Sequence, residues 1–130
     1  PNMQTDLLYL KKKVDAGAEY IVTQMFFDNK KFFAYEKQCR EAGITVPIIP
    51  GLKPITSKKQ LSVIPRTFYV DIPTDLSGEI LKCKDDTDVE KVGTEWLLAQ
   101  SKELKAAGAP VLHYYTLGKP HVVCNVVKEL

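Results

Sequence analysis

Residues 20–28 read Tyr20-Ile21-Val22-Thr23-Gln24-Met25-Phe26-Phe27-Asp28, and the fold turns on this stretch. Tyr20, Ile21, Val22 and Thr23 are aromatic or β-branched, the side chains a crowded pleated strand favours. The run shows no polar/apolar alternation, which predicts a strand covered on both faces, as in a parallel sheet. A helical pattern ending at Gly17 precedes it and another opens near Asn29, so Gln24 falls where strand gives way to loop. Ligands of parallel α/β sheets bind at that carboxyl edge. An amide at a strand end can also do no more than satisfy backbone groups, and the stretch alone leaves both readings open.

Upstream, residues 6–16 predict a helix. Thr5 or Asp6 can cap it, Leu7, Leu10 and Val14 recur along one apolar stripe, and Gly17 suits the left-handed position past its end. Asp6, Tyr9 and Lys13 share a second face, with Lys12 at its border. By side-chain physics alone that face is a solvated one, although a carboxylate, a phenol and two ammoniums could also hold a nucleotide.

Downstream, residues 29–42 predict a helix closed by Gly43. Phe26, Phe27, Phe32 and Phe33 are read as core. Residues 46–49 predict a second buried strand, with Pro47 near its start, followed by a stiff loop over residues 50–56. Thr56 or Ser57 then caps a short helix running to Ile64, which Pro65 stops; Gln60 lies in its first turns, one repeat on from Gln24. Residues 66–86 are the least readable: a brief extended piece over 69–73, then a polar loop through Ser77 and Gly78. Asp85, Asp86 and Asp88 resemble a magnesium box, but they stand directly before a long helical pattern. Acidic residues there cap free amides and oppose the helix dipole, the reading favoured here.

That helix should reach Ala107, with Val89, Val92, Trp96, Leu97 and Leu104 inward and Gly108 ending it. Residues 110–115 predict a third strand, with His113 a satisfied core histidine, and residues 120–129 a last helix, with His121 on the surface. Strands alternating with helices imply parallel strands joined by helical crossovers. Gln24, Gln60, Tyr115 and Lys119 all fall at or just beyond a strand's carboxyl end, and that convergence points to a binding site.

The 130 residues are 45% hydrophobic and 26% charged, enough for a core but short of the ~250 residues of a closed eight-stranded barrel. A net charge of +2 argues against nucleic-acid or membrane binding, and no apolar run reaches the ~20 residues that span a bilayer. Cys39, Cys83 and Cys124 have no metal-ligand spacing and make a poor disulfide framework, so a reduced cytoplasmic setting is expected. No signal peptide is read at the start, and the chain begins at Pro1, as a processed protein or a piece of a longer one would. No nucleophilic triad spacing and no glycine-rich dinucleotide fingerprint is present.

The segments DLLYLKKKVDAGAEYIVTQMFFD, VPIIPGLKPIT and HYYTLGK, in this order, resemble the C-terminal part of the catalytic domain of 5,10-methylenetetrahydrofolate reductases. The resemblance spans essentially all 130 residues and is weakest over 66–86. It implies an α/β fold, the C-terminal portion of a (β/α)8 TIM barrel, with about three parallel strands and outer helices in a single segment over 1–130. It also implies an FAD enzyme that uses NADH or NADPH to reduce methylenetetrahydrofolate to methyltetrahydrofolate for methionine synthesis.

By the same resemblance Asp6, Tyr9, Lys12 and Lys13 lie along the FAD, and Gln24, Gln60, Tyr115 and Lys119 line the folate site. Two departures stand out: YTLGK where the family commonly has YTLNR, and Ile64 where some members carry a folate-stacking Phe. The family's general-acid glutamate has no counterpart here, so no catalytic residue is assigned. Three strands cannot close a barrel, and exposed edges seek partners. The segment is therefore expected to be inactive alone and to pair with the missing barrel half or to form a homo-oligomer. The rival readings are a flavin- or folate-binding module without turnover, and a structural fragment.

Overall fold

Three parallel strands, β1 (Ile21–Met25), β2 (Ile48–Leu52) and β3 (His113–Tyr114), form one sheet in the order β1-β2-β3. The computed structural model describes residues 3–116 and 119–130, with side chains described from Leu7 onward. Helices connect and flank the strands: α1 (Met3–Asp15), α2 (Asn29–Glu41), α3 (Gln60–Phe68), α4 (Thr74–Leu81), α5 (Asp86–Ala106) and α6 (Pro120–Lys128). This is the expected arrangement, a parallel sheet with outer helices as in part of a (β/α)8 barrel.

Many expected signals act as read. Leu7, Leu10 and Val14 pack inward, and Gly17, Gly43 and Gly108 take positive φ at the ends of α1, α2 and α5. Asp28 caps α2 by accepting from the Lys30 amide at 3.0 Å, and Asp85 caps α5 by accepting from the Asp88 amide at 3.0 Å. The acidic cluster is thus a helix start. Leu117, Gly118 and the side chain of Asp6 lie outside the described residues.

Other expectations are corrected. β1 is an edge strand whose burial alternates, with Ile21 and Met25 buried and Val22 and Gln24 exposed, so it is not covered on both faces. α1 is already formed at Met3, so neither Thr5 nor Asp6 caps it. β2 begins two residues later than expected and runs on through Pro50 and Gly51. A proline lacks the amide that a central strand needs. The pairing accommodates it: Val22 faces Ile49 and Met25 faces Gly51, three steps along β1 against two along β2, a bulge with its extra residue opposite Pro50.

α3 continues through Pro65 because Leu61, Ile64 and Phe68, at helical spacing, all pack on one apolar cluster. α4 replaces the expected polar loop because Leu76 and Ile80, four residues apart, are buried side by side. His113 is exposed, with its ring edge-on to Tyr115 at 4.7 Å, so it is not a core histidine. On α6, Val122, Val123 and Val126 are buried, whereas Val127 is half-exposed.

Two apolar clusters hold these elements. Ile21, Phe32, Ile48, Leu52, Leu97 and Val126 join β1, α2, β2, α5 and α6. Met25, Ile55, Ile64, Leu76, Ile80 and Val89 join the carboxyl end of β1 to the β2–α3 loop, α3, α4 and the start of α5. Each such buried aliphatic side chain is worth roughly 1.5–3 kcal/mol. The helix-rich second cluster therefore sits at the sheet edge where a site is expected.

Candidate functional site at the carboxyl edge of the sheet

Gln24 is the penultimate residue of β1, inside the bulge. It lines a cavity of about 360 Å³ at the free side of β1, with Thr23, Phe26, Lys31, Phe32 and Tyr35. Phe26 and Phe32 stack there with centroids 5.2 Å apart, and Lys31 is tied to Asp71 at 2.8 Å. An apolar aromatic wall with a few fixed polar groups is the usual make-up of a small-molecule site. The Gln24 carboxamide oxygen accepts from the Met25 amide at 3.1 Å.

The bulge is laced across all three strands. The Gly51 amide donates to the Thr23 hydroxyl at 2.9 Å, and the Tyr115 hydroxyl donates to the Thr23 carbonyl at 3.0 Å. Tyr115 can reach across β2 because residue 51 has no side chain. A Cβ there would stand 2.5 Å from the Thr23 carbonyl oxygen and 2.9 Å from the Tyr115 ring. The loop after β1 is held from α5 as well, by Trp96 donating to the Phe27 carbonyl at 2.8 Å and Gln100 to the Phe26 carbonyl at 3.3 Å.

Gln60 is the first residue of α3, and its side chain turns back on its own loop. Its carboxamide oxygen accepts from the Thr56 amide at 2.7 Å and the Ser57 amide at 3.3 Å. Lys119, before α6, reaches Glu90 on α5 at 3.4 Å, and His121 meets the other oxygen of the same carboxylate at 2.8 Å. The hydrogen bond from His121, with Lys119 beside it, holds the Glu90 carboxyl below its ordinary range against partial burial. Gln24 and Tyr115 are linked through Thr23, whereas the Gln24 cavity contains neither Gln60, Tyr115 nor Lys119. Ile64 is buried in the second cluster.

On α1, Tyr9 is 63% exposed and the Lys12 ammonium lies over its ring, 5.7 Å from the centroid; Lys13 is exposed too. None of the three lines the Gln24 cavity, although Leu10 of the same helix does.

Sequence reasoning missed Thr23, Gly51, Glu90 and Lys53. Lys53 directly follows β2 and is only 5% exposed, with its ammonium donating to the Pro54 carbonyl at 3.0 Å. Burial pushes its pKa below the ordinary lysine value. A lysine set between apolar residues and a proline, Gly51-Leu52-Lys53-Pro54-Ile55, was the available signal. Among the described residues no group of three or more His, Cys, Asp or Glu side chains could hold a metal ion, and no helix is long and apolar enough to cross a membrane.

A family model described as Methylenetetrahydrofolate reductase matches residues 1–130. A Caenorhabditis elegans protein, probable methylenetetrahydrofolate reductase (NADPH), is 37% identical over 100% of this chain and 20% of its own length. The Arabidopsis thaliana methylenetetrahydrofolate reductase (NADH) 1 is 41% identical over 98% of this chain and 22% of its own. The Escherichia coli 5,10-methylenetetrahydrofolate reductase is 35% identical over 95% of this chain and 43% of its own. The chain thus spans between a fifth and under half of these relatives. Among solved structures, an uncharacterized protein from Clostridium thermocellum that binds two copies of 5-methyl-5,6,7,8-tetrahydrofolic acid shares the fold. Its TM-score is 0.55 at 20% identity, covering 95% of this chain and 46% of that one.

Proposed function

The chain belongs to the methylenetetrahydrofolate reductase family, and on that premise we propose that it forms the folate-side portion of a flavin-dependent oxidoreductase. The reaction is reduction of 5,10-methylenetetrahydrofolate to 5-methyltetrahydrofolate, with NADH or NADPH as reductant, in the one-carbon metabolism that feeds methionine synthesis. The observation that carries this reading is the family match over all 130 residues. The 5-methyltetrahydrofolate bound by the Clostridium thermocellum neighbour supports the substrate class.

In this reading the Gln24 carboxamide is the pterin contact. It can donate and accept at once, which suits the paired donor and acceptor edge of a pterin. It stands near the carboxyl end of β1, at the sheet edge where ligands of parallel sheets bind. Gln60, Tyr115 and Lys119 contribute from the connections after β2 and β3.

The patch on α1 suits FAD: Tyr9 offers an exposed ring face, and Lys12 and Lys13 offer ammoniums to its phosphates. Asp6 belongs to the same group. Bound flavin supplies the hydride relay between nicotinamide and folate. The chain's own residues bind and orient the pterin and anchor the cofactor. The free edge of β1 is where the rest of a barrel adds its strands.

Calorimetric titration of the chain with 5-methyltetrahydrofolate tests the reading. Saturable binding that methylenetetrahydrofolate displaces and Gln24→Ala weakens by about tenfold or more is expected. Absence of saturable binding overturns the folate assignment.

A further inference from the structure

Gln24 does not sit on a regular strand. It occupies a bulge opposite Pro50, and three backbone groups around the bulge are bonded to side chains. The Gly51 amide is taken by the Thr23 hydroxyl, the Thr23 carbonyl by the Tyr115 phenol, and the Met25 amide by the Gln24 carboxamide itself. A one-residue slip in strand register reverses which face a side chain presents. The backbone at Thr23 therefore decides where the Gln24 amide stands. The Tyr115 hydroxyl, arriving from the end of the third strand, is what pins that carbonyl.

We propose that Thr23 and Tyr115 are positioning residues for Gln24: through the Thr23 hydroxyl and carbonyl they hold the bulge that presents the Gln24 carboxamide to the folate. This rests on the reading that Gln24 contacts the pterin. Tyr115, expected from the resemblance to line the substrate pocket, acts also through its bond to the Thr23 carbonyl. In the resting state Gln24 accepts from the Met25 amide, and its carboxamide hydrogens remain for a ligand's acceptor. Gly51 is required because any side chain there would occupy the path of the Tyr115 ring.

The test combines hydrogen exchange at the Met25 amide with calorimetric affinity for 5-methyltetrahydrofolate, on the full 130-residue chain. Tyr115→Phe keeps the ring but loses the hydroxyl, and Thr23→Val keeps the shape but loses the donor and acceptor. Each should speed Met25 exchange and weaken binding by about tenfold, the scale of one lost hydrogen bond. Neither loss should add to that of Gln24→Ala, because all three act through one contact. Thr23→Ser, which keeps the hydroxyl, should recover most of the affinity and the protection.

Losses that add fully to Gln24→Ala, or affinity untouched by Tyr115→Phe and Thr23→Val while Gln24→Ala lowers it, overturn the proposal. A wild-type chain that binds no folate defeats the functional reading alone. Met25 exchange then decides the positioning claim: unchanged protection in both variants overturns it, and lost protection sustains it.

Discussion

The carbonyl of Ile55 fills the space in which a side chain on Gly93 would begin. Helix α5 and the β2–α3 loop therefore meet backbone to backbone, which seats the long helix close over the sheet's carboxyl edge. Trp96 and Gln100, further along the same helix, are thereby brought to the carbonyls of Phe27 and Phe26.

Gly93→Ala should accordingly destabilise the chain by about 1–3 kcal/mol or more, although alanine is the better helix former. Urea denaturation followed by circular dichroism checks it. A variant as stable as its parent would mean that α5 can lift off Ile55 without consequence.

Lys53 carries a pH signature. Its folded pKa is lowered by burial, so the unfolded chain binds the proton more tightly and the charged side chain opposes folding at neutral pH. Stability from this residue rises as pH climbs through the lowered value toward the ordinary ~10.4. Lys53→Met, similar in volume and uncharged, should be more stable than wild type at pH 7, with the gap closing in alkaline solution. Midpoints of denaturation at pH 7 and pH 10 measure it, and a gap that widens with pH would contradict the burial argument.

Glu90 behaves in the opposite sense. Its carboxyl is held low by the His121 hydrogen bond, so it contributes stability above the ordinary glutamate value of ~4.3, which is lost as pH falls through the lowered one. Glu90→Gln should cost under about 1 kcal/mol at neutral pH, because Lys119 and His121 are about half exposed and screened. The difference should shrink in acid and in high salt. Thermal melts across pH and salt check both dependences; a deficit independent of both would place the effect in packing.

Gln24→Glu keeps the shape of the proposed pterin contact but replaces its donor with an acceptor-only group. Folate affinity should fall by on the order of 1–3 kcal/mol for the mismatched buried contact. FAD affinity should be nearly unchanged, since Tyr9, Lys12 and Lys13 do not line the Gln24 cavity. Parallel titrations with 5-methyltetrahydrofolate and FAD separate the two, and unchanged folate affinity would reduce Gln24 to a strand-end amide.

The alternation of apolar runs with capped helices made the parallel sheet and its outer helices legible, because caps such as Asp85 and glycines such as Gly108 act locally. Where tertiary packing overrides local preference the reading slipped. Pro65 looked like a helix stop until Leu61, Ile64 and Phe68 pulled the helix through it. Pro50 looked like a loop residue because the bulge that accommodates it belongs to another strand. The position of Gln24 at a strand's carboxyl edge could be read from one stretch. The partners that fix it could not, since Gly51 is 28 and Tyr115 is 92 residues from Thr23 in the chain.

The division of the apolar interior into two clusters implies two cooperative units. The first cluster ties the sheet to α2, α5 and α6, whereas the second is roofed by the short helices α3 and α4. Segments sharing fewer contacts with the rest of a fold open at lower free energy and exchange their amides together. Residues 60–81 should therefore unlatch as one block while β1 and β2 stay protected. That roof would breathe on its own clock, while the wall of the Gln24 cavity, built on Ile21 and Phe32 of the first cluster, keeps its shape.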